Sequence, residues 1–541
     1  MNHLSPLEVV RLYPQHEYTL RTLFETRAQA DPNKPFIVFG ETTYTWGEFH
    51  ARIERTASML SGRGVARGDR VGIMATNSDA HVLLLFALAR IGAIMVPVNP
   101  EFGVKEAAYV LNHAAVRAVA CSVSTLNTAR EACASMDPAP WFMTVDVKEP
   151  GVPLLARLIE QTAGGSLSDD VGADATCAII YSSGTTGFPK GVMHGQRNFV
   201  LSGERHLARV QLQPSDRALC ILPMFHINAL FYSVASAVTA GATLIIAPKF
   251  SASNFWRLAA DTGATQVNVI MAVSTILARR PRSEFVREHK LRVVNGAPFT
   301  RETVDVFLKE FGVERIIEGF GMTEIPGAFS NPFDGPHKIA SMGKPGIHAD
   351  PARIWTQARV VDDEGNDVPN NVTGELVVKI PTLMQGYYKD PEQTAASFRD
   401  GWFLTGDLVR RDDDGYFFFV ARKKDIIRRR GENVAGAELD RVICEHPGVA
   451  EAAAIAVDSE LGEDEIMAVV VRKPGAALEA AEVRDWCAER LAAHKVPRFV
   501  IFVETLPHTP THKVAKFLLK QDSSLRARAV DFQPVAAGRR A

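Results

Sequence analysis

A glycine- and hydroxyl-rich stretch, YSSGTTGFPKGVMHG (residues 181–195), is the part of the sequence whose residue types most directly suggest chemistry. It follows a short apolar run that favours a strand and precedes a segment with helical apolar spacing. Backbone N–H groups and hydroxyls in such a loop can surround a phosphate. The P-loop pattern fails, because Lys190 is followed by Gly191 instead of the Mg²⁺-binding Ser or Thr. The stretch therefore predicts a different phosphate loop, placed between a strand and a helix.

Four further stretches combine glycine or proline with residues that could act as acids, bases or metal ligands: PMFHINAL (223–230), EGFGMTE (318–324), DGWFLTGD (400–407) and LPHTPTHKVAK (506–516). Taken singly, the key residue of each stretch has an ordinary explanation. His226 could be a core histidine and Glu324 a helix cap. Asp407 could be a turn residue and Lys513 a solvated lysine. Their occurrence in this order along one chain instead favours a shared site.

In this order the stretches resemble the adenylate-forming superfamily: acyl-CoA synthetases, adenylation domains of peptide synthetases and beetle luciferases. The resemblance runs from about residue 20 to 520 and includes GDRVGIMATN, NGAPF, GELVVKIPTLMQGYYKDPEQT and ARKKDIIRRRGENV. PMFHI, GFGMTE and RRRGENV are most similar to acyl-CoA ligases, including the crotonobetaine/carnitine–CoA and coumarate–CoA ligase groups. The resemblance implies that a carboxylate attacks ATP to give acyl-AMP and pyrophosphate, and that the thiol of coenzyme A then displaces AMP.

The resemblance also implies that the loop binds the β- and γ-phosphates of ATP, with Lys190 adding positive charge. The backbone and hydroxyl groups would come from Ser182, Ser183, Gly184, Thr185, Thr186 and Gly187. Glu324 matches a Mg²⁺-binding glutamate, with Thr185 as the second predicted ligand, and hard oxygen atoms suit this ion. Thr323 would contact the α-phosphate. ATP and Mg²⁺ are therefore predicted cofactors.

Other segments supply the remaining nucleotide contacts that the resemblance implies. Phe320 matches an aromatic residue that stacks on adenine. Asp407 would accept hydrogen bonds from both ribose hydroxyls, with Arg422 supporting it. The other predicted nucleotide-binding residues lie beside Phe320 or on the opposite side of the adenine, and they are Gly296, Ala297, Pro298, Glu318, Gly319, Gly321 and Met322. Together these residues predict binding of ATP and of the product AMP.

Catalysis is expected to depend on a lysine near the C-terminus. Lys513 matches the family's catalytic lysine, whose ammonium would bridge the acid's carboxylate and the α-phosphate. His226 falls at a family position beside that carboxylate and the thiol tunnel. The C-terminal domain would rotate about a hinge at Lys424, so that a face near Arg430 and Gly431 forms the coenzyme A tunnel. The charged segment ARKKDIIRRRGEN around the hinge also fits a plain exposed linker.

The sequence constrains the acid substrate least. The pocket residues that the motifs imply are His226, Asn228, Asn295, Gly319, Gly321 and Ile325. The glycines leave room for an acyl chain, and these residues offer no charge to pair with an amine or a second carboxylate. We therefore expect a medium-chain, branched or aromatic acid, while a small polar acid related to carnitine stays open.

Three other functions fit parts of the pattern. An amino-acid-adenylating enzyme usually carries an Asp in the acid pocket, where this chain has FHIN, and no carrier domain follows within the chain. Light emission or amide ligation from acyl-AMP would use the same motifs. A catalytically silent nucleotide-binding regulator would not need the charged residues that this chain retains, namely Lys190, Glu324, Asp407, Arg422 and Lys513.

Four positions depart from the family pattern. Ser182 replaces a commoner Thr, Gly436 a common Pro and His512 the Gly before the catalytic lysine. Ala421 replaces a Gly, and an alanine would be strained there if the position required a positive φ. These changes bear mainly on the geometry of the C-terminal part of the site.

Composition excludes several other classes of protein. The 541 residues are 46% hydrophobic and 23% charged, which is typical of globular domains, and the net charge of −2 does not suggest nucleic-acid or membrane-surface binding. The six cysteines form no C-x-x-C pair, so neither a zinc site nor a disulfide framework is expected. The N-terminus lacks signal-peptide features, and charged residues or glycines interrupt the apolar stretches. We expect a cytoplasmic protein without nucleic-acid or membrane partners, and a homodimer is possible.

The alternation of short apolar runs with helical segments predicts an α/β fold with parallel-rich sheets. We expect an N-terminal adenylate-forming domain over residues 1–421, in which 345–421 form a small antiparallel subdomain with two hairpins. A mobile α+β domain, which includes the predicted hinge, would occupy residues 422–541.

Overall fold

The computed structural model describes residues 3–165, 167–182, 189–429, 432–458, 464–508 and 514–532, without the side chains of residues 432 and 433. Its α-helices are, in chain order, α1 (Pro6–Arg11), α2 (Leu20–Ala30), α3 (Trp46–Gly62), α4 (Asp79–Arg90), α5 (Val104–Ala114), α6 (Val123–Ala132), α7 (Leu155–Glu160), α8 (Gln196–Val210), α9 (Ala235–Ala240), α10 (Phe255–Asp261), α11 (Met271–Arg279), α12 (Arg301–Asp305), α13 (Pro391–Ala396), α14 (Gly436–Cys444), α15 (Ala480–Arg490), α16 (Lys516–Gln521) and α17 (Ser523–Arg528). Two π-helical segments cover Asn228–Val234 and Val306–Glu310, and 3₁₀ turns cover Arg282–Glu284, Lys423–Asp425 and Ala493–Lys495.

The strands are, in chain order, β1 (Pro35–Phe39), β2 (Thr42–Thr45), β3 (Arg70–Met74), β4 (Ile94–Pro97), β5 (Ala118–Cys121), β6 (Trp141–Thr144), β7 (Thr176–Ser182), β8 (Lys190–Gly195), β9 (Arg217–Cys220), β10 (Thr243–Ile246), β11 (Gln266–Asn268), β12 (Val293–Gly296), β13 (Arg315–Phe320), β14 (Phe329–Ser330), β15 (Lys344–Pro345), β16 (Gln357–Val361), β17 (Thr373–Lys379), β18 (Gly386–Tyr387), β19 (Phe398–Arg399), β20 (Trp402–Arg411), β21 (Phe417–Arg422), β22 (Ile426–Arg429), β23 (Glu432–Ala435), β24 (Val449–Asp458), β25 (Asp464–Arg472), β26 (Phe499–Phe502) and β27 (Val530–Asp531).

Two large sheets dominate the fold. The nine-stranded sheet has the order β15-β14-β13-β12-β11-β9-β10-β1-β2. Every pairing within the run from β13 to β1 is parallel. The seven-stranded sheet has the order β18-β8-β7-β4-β3-β5-β6, with parallel pairing from β7 to β6. Parallel strands ending at one edge place their loops side by side, where ligands bind in open α/β sheets. The predicted α/β class with parallel-rich sheets is confirmed.

Local signals in the sequence account for many of the elements. Helix α3 begins after Thr45, whose side chain and that of Glu48 form a capping box. Its buried face includes Trp46, Phe49 and Ile53, at the spacing expected of a helix that packs on one side. Strands β3, β4, β10, β12 and β13 lie within the apolar runs that predicted them.

The stretch after the phosphate loop differs from the prediction. Residues Lys190–Gly195 form strand β8, antiparallel to β7, with Ser182 opposite Lys190, and α8 begins only at Gln196. The loop therefore joins two strands of one hairpin, and the predicted helix follows directly after the second strand. Lys190, opposite Ser182, places a positively charged side chain at the base of the phosphate loop.

The predicted hairpins form a five-stranded antiparallel sheet. Strands β16, β17, β20 and β19 are adjacent in that order, and β21 pairs with β20. Strand β18 lies in the same stretch of sequence but leaves this sheet and pairs with β8 at the edge of the seven-stranded sheet. Ala421 lies in β21, outside the positive-φ residues, so the strain considered for it does not arise.

The C-terminal elements form a hairpin, β22–β23, and a four-stranded sheet in the order β24-β25-β26-β27. Separate hydrophobic clusters pack within this part, one including Ile427, Leu439 and Val500 and the other Ile455 and Leu519. The charged segment after the predicted hinge is therefore not a plain linker. Arg429 is buried, 2.7 Å from Glu465, and donates to two backbone carbonyls.

Helix α8 is buried along almost its whole length: every residue except Arg197 is buried. It packs against α9, the π-helix Asn228–Val234, α1 and α2. Its apolar residues belong to three hydrophobic clusters, yet its C-terminal half carries several charged side chains. Among the described residues, no helix combines the length and apolar character needed to cross a bilayer.

Candidate active site

Strand β13 delivers the EGFGMTE motif to the edge of the nine-stranded sheet. The strand ends at Phe320, and Gly321 to Thr323 continue as an exposed or half-buried loop. The Phe320 ring lies 6.2 Å from that of Phe329 in an edge-on arrangement. The predicted opposite wall begins at Gly296, which pairs with Glu318 across the neighbouring parallel strands. The structure thus brings the predicted adenine contacts, including Ala297 and Pro298, to one sheet edge.

Glu318, the first residue of this motif, forms its contacts within the protein. Its side chain is fully buried and accepts hydrogen bonds from the backbone N–H groups of Phe299 and Ala340, at 2.9 and 3.2 Å. His337 Nε2 lies 2.9 Å from its other oxygen. The carboxylate therefore joins the loops on either side of β13, which fixes the backbone around Phe320.

Lys190 and Glu324 lie on either side of Tyr387, a residue that the motif analysis did not assign. The Tyr387 hydroxyl donates to Glu324 Oε1 at 3.0 Å, and Lys190 Nζ lies 5.0 Å from the centre of the Tyr387 ring. Burial raises the pKa of Tyr387, and the negative charge of Glu324 raises it further. Tyr387 reaches this position because β18 pairs with β8. The predicted phosphate-binding lysine and the predicted metal ligand are thus parts of one cluster.

His194 supports the loop that carries Thr323. It lies in β8, and its Nε2 donates to the Thr323 carbonyl oxygen at 2.8 Å. Complete burial lowers the pKa of His194 to about 4, so the ring is neutral near pH 7. A neutral ring with its proton on Nε2 is the form that this contact requires.

Asp407 and Arg422 are neighbours across the β20–β21 ladder. Arg422 Nε lies 2.8 Å from Asp407 Oδ1, and the backbone N–H of Asp407 donates to Thr405 Oγ1. The Asp407 side chain is fully buried, so a ribose could reach its carboxylate only after a covering group moved aside. The two side chains thus form an ion pair in which Asp407 is buried and Arg422 is partly exposed; their contact with a ribose stays a prediction.

Lys423 and Lys424, adjacent at the predicted hinge, contact different parts of the protein. Lys423 Nζ lies 2.8 Å from both Asp363 and Glu375, which belong to the antiparallel-sheet region. The carbonyl of Lys424 instead accepts a hydrogen bond from Lys520 of α16. Partial desolvation lowers the pKa of Lys424, and the charges of Arg422, Lys520 and Lys190 lower it further. This change of partner fits a pivot at the predicted hinge.

His226 and Asn228 are the first residues along the chain that were predicted to line the acid pocket. His226 precedes the π-helix Asn228–Val234, and its ring centre lies 4.3 Å from that of Phe225. The Asn228 Oδ1 atom is buried and has no hydrogen-bond partner among the described residues. Ile325, also predicted in the pocket, is fully buried.

A buried network of polar side chains includes Asn295, the residue before Gly296. Asn295 Nδ2 and Gln266 Nε2 both donate to Asn268 Oδ1, and Asn268 Nδ2 donates to Ser233 Oγ of the π-helix. Burial and the neighbouring Arg209 and Arg205 hold the pKa of His206 well below its usual value. Of these buried polar residues, the motifs predicted only Asn295 as part of the site. The missed signal was a run of charged residues, GERHLAR, in a helix whose other positions are apolar.

Several predicted site residues lie outside the described part of the chain. These are Ser183, Gly184, Thr185, Thr186, Gly187, Arg430, Gly431, His512 and Lys513. Their flanks are described: Ser182 and Lys190 pair at the base of the phosphate loop. Within the described residues, no three His, Cys, Asp or Glu side chains group as a metal site would require. A Mg²⁺ ion at Glu324 would take its further ligands from phosphate oxygens, water and the predicted Thr185 hydroxyl.

Comparison with known protein families and structures gives a consistent result. The AMP-binding enzyme family matches residues 24–388, and the AMP-binding enzyme C-terminal domain matches residues 438–513. Sulfoacetate–CoA ligase of Cupriavidus necator is 33% identical over 514 residues, covering 94% of this chain and 99% of that protein. Crotonobetaine/carnitine–CoA ligase of Proteus mirabilis is 30% identical, covering 92% and 98%. ATP-bound MatB from Rhodopseudomonas palustris superposes with a TM-score of 0.82 at 30% identity, covering 93% and 98%.

Proposed function

The chain belongs to the AMP-binding enzyme family as an AMP-forming acid–thiol ligase, and we propose how its described residues serve the two half-reactions. In the first, a carboxylate oxygen of the acid attacks the α-phosphorus of ATP, and the bond to pyrophosphate breaks. In the second, the sulfur of coenzyme A attacks the acyl carbon, its proton passes to a base or water, and AMP leaves. The relatives are named for different acids, so their names leave this chain's acid open.

The observation that carries the assignment of roles is the cluster of Lys190, Tyr387 and Glu324 beside the β13 edge. The first half-reaction brings an anion against a polyanion, so fixed positive charge is the main requirement. Lys190 supplies one such charge at the base of the phosphate loop. Glu324 offers its second carboxylate oxygen to Mg²⁺, while Tyr387 holds the first. When bound there with the phosphates, Mg²⁺ would neutralise charge on the departing pyrophosphate.

The nucleoside is held by residues of two sheets. Phe320 offers a half-buried ring at the end of β13, and Asp407 offers a carboxylate for the ribose hydroxyls. Arg422 lies 2.8 Å from that carboxylate and would hold it in position for the ribose. Because the Asp407 carboxylate is covered, binding of the nucleotide requires a local rearrangement close to the hinge.

The second half-reaction requires the lysine that served the first to withdraw. Lys513 is the predicted catalytic lysine, and we place its movement at Lys424, where the chain changes partners between sheet and α16. His226 would lie beside the acyl carbon and orient it for the thiol. A cytoplasmic location and a homodimer stay predictions from the sequence.

A pyrophosphate-release assay over a panel of carboxylic acids tests this function. We expect acid-dependent formation of AMP and pyrophosphate in equal amounts, and a coenzyme A thioester of the same acid detected by mass spectrometry. Omitting coenzyme A should leave acyl-AMP on the enzyme and stop turnover. Formation of ADP and phosphate, or release of pyrophosphate without thioester when coenzyme A is present, would contradict the proposal.

A further inference from the structure

Two arginines of the buried helix α8 lack a carboxylate partner. Arg205 and Arg209 are 1% and 6% exposed, and they are four residues apart on one face of the helix. Arg205 donates from one nitrogen to Ser330 Oγ at 2.7 Å, whereas its Nε and Nη1 have no partner among the described residues. Arg209 makes no hydrogen bond or ion pair with any described residue, and its Nε is buried. Buried charges are normally paired, so this arrangement requires an explanation.

The other buried arginines of the described chain show how unusual this is. Arg90, Arg429 and Arg498 each form an ion pair with at least one Asp or Glu. Arg27 has no carboxylate either, but it donates to the Thr239 carbonyl and to Thr26 and lies over the Tyr13 ring. Arg205 and Arg209 therefore differ from the rest by lacking an anion or comparable compensation.

The nearby carboxylates of the protein are already engaged. Glu204, next along α8, is held by His16 and His348 at 3.3 and 2.7 Å. Glu318 lies close enough to raise the pKa of Arg209, but its oxygens bind His337 and two backbone N–H groups. Burial lowers the pKa of Arg205 to about 9 and that of Arg209 to about 10, so both remain charged at neutral pH. The region thus holds two positive charges, neither of which forms an ion pair with a described carboxylate.

One of these charges, that of Arg209, lies against a glycine of the predicted acid pocket. A β-carbon at Gly319 would lie 2.1 Å from Arg209 Nη2, and one at Gly321 would lie 2.4 Å from the Tyr232 hydroxyl. Tyr232 belongs to the π-helix that starts at Asn228, just after His226. Arg209 therefore lies beside β13 next to the predicted pocket, and Arg205, one helical turn earlier on α8, lies close to Gly327 and Gly346.

Resting on the proposed function, we infer that the acid substrate carries a second anionic group, a carboxylate or a sulfonate, which Arg205 and Arg209 bind. The planar fork of a guanidinium matches either group, and two such forks can hold its oxygens from two sides. An acid without this group would leave both arginines uncompensated in a buried site, so the enzyme should reject it. This inference differs from the medium-chain, branched or aromatic acid expected from the motifs, which showed no charge.

The experiment compares matched acids on the wild-type enzyme by the same pyrophosphate and thioester assay. Each set contains a dicarboxylate, its monomethyl ester, the corresponding monocarboxylate and the sulfonate analogue, over three- to six-carbon chains. We expect the preferred dianionic acid to have a kcat/KM about 100-fold above those of its ester and its monocarboxylate, because neutral analogues leave buried donors unpaired. The carboxylate and sulfonate arms separate the two anionic groups.

Variants then assign the preference to the arginines. Arg209→Met and Arg205→Met should lower kcat/KM for the dianionic acid by about 10- to 100-fold, mainly through KM, with little effect on the ester. Arg209→Lys keeps the charge without the fork and should lose about 10-fold, which provides a second test if the methionine variant does not fold. Arg197→Met is the matched control, because Arg197 lies on the same helix but is paired with Asp174 at the surface.

The outcomes separate the inference from the function on which it rests. If wild-type enzyme makes thioesters of the ester and of the dianionic acid equally well, or if Arg209 variants lower both alike, the inference is overturned and the ligase function stands. If no acid of these sets reacts but another monocarboxylic acid of the broader panel yields pyrophosphate and thioester, the inference is likewise overturned and the ligase function stands. If no acid of either panel yields pyrophosphate and thioester, the proposed function itself fails, and the inference with it.

Discussion

The nucleotide half and the acid half of the site obtain their charges in different ways. We define the nucleotide half as Lys190, Glu324, Tyr387, Asp407 and Arg422. Lys190 and Glu324 both contact Tyr387, and Arg422 pairs with Asp407, so the charged groups have partners within the protein. The acid half comprises Arg205, Arg209 and Tyr232, two of which carry charges on a buried helix without anionic protein partners.

The difference teaches which changes should affect all substrates and which should affect only some. ATP is the same whatever acid is used, so the nucleotide half can be complete before the acid enters. The acid half is complementary to something absent from the chain itself. Changes in the nucleotide half should therefore slow every acid alike, whereas changes in the acid half should alter the ranking of acids.

The largest expected effect comes from Lys513→Ala, which should slow formation of acyl-AMP by about 10²–10³-fold for every acid tested. The lysine would contribute charge to a transition state common to all acids. Thioester formation from supplied acyl-AMP should be largely intact, as measured by single-turnover assays of each half-reaction. Lys473→Ala, an exposed lysine of the same C-terminal part, is the control. Equal loss of both half-reactions, or a loss that depends on the acid, would contradict this division of roles.

Glu324→Gln should have a smaller effect, again independent of the acid. Loss of a carboxylate ligand should raise the Mg²⁺ concentration needed for half-maximal adenylation by roughly 10-fold, because an amide oxygen is a weaker ligand for a hard cation. The measurement is a Mg²⁺ titration of pyrophosphate release at saturating ATP. Glu364→Gln, in an exposed turn, should leave the titration unchanged. An unaltered curve for Glu324→Gln would remove this residue from the metal.

The smallest effect concerns stability, where the two halves should behave alike. Burial lowers the pKa of His194 in β8 to about 4, and burial with Arg209 and Arg205 holds that of His206 well below its usual value. Below about pH 6.5 the unfolded chain binds protons that the folded chain excludes, so stability falls as pH falls. Each ring should cost about 1.4 kcal/mol per pH unit until the pH reaches its folded pKa.

Thermal unfolding between pH 7.5 and 5 tests this expectation. His194→Gln and His206→Gln should each flatten the fall in Tm with acidification by a similar amount, although one residue supports the nucleotide half and the other adjoins the acid half. A Tm that does not change across this interval in wild-type protein would show that the rings are not held neutral.

The sequence predicted the nucleotide half better than the acid half for a physical reason. Phe320, Glu324 and Asp407 lie in short motifs at strand ends, where glycine spacing and strand position can be read locally. Strand β8 was missed because its pairing with β7 across the phosphate loop is not visible in its own composition. Tyr387 was missed because β18 crosses from the antiparallel region to another sheet.

The acid half was missed because burial is a tertiary property. The charged residues of α8 look like the solvated face of an ordinary helix, and only the packing of α1, α2, α9 and the π-helix around them shows that this face is enclosed. By contrast, the capping box of α3 and the turns of β16–β17 and β20–β21 are local, and the sequence identified them.

The pairing of β18 with β8 also has a consequence for the integrity of the chain. A strand at the rim of a sheet exposes unpaired backbone groups that can recruit another molecule. Residues Gly386–Tyr387 cover β8 in this way, so a fragment ending before them would present a bare rim and tend to self-associate. The outermost pairing of the seven-stranded sheet therefore comes from a stretch about 190 residues later in the sequence than β8.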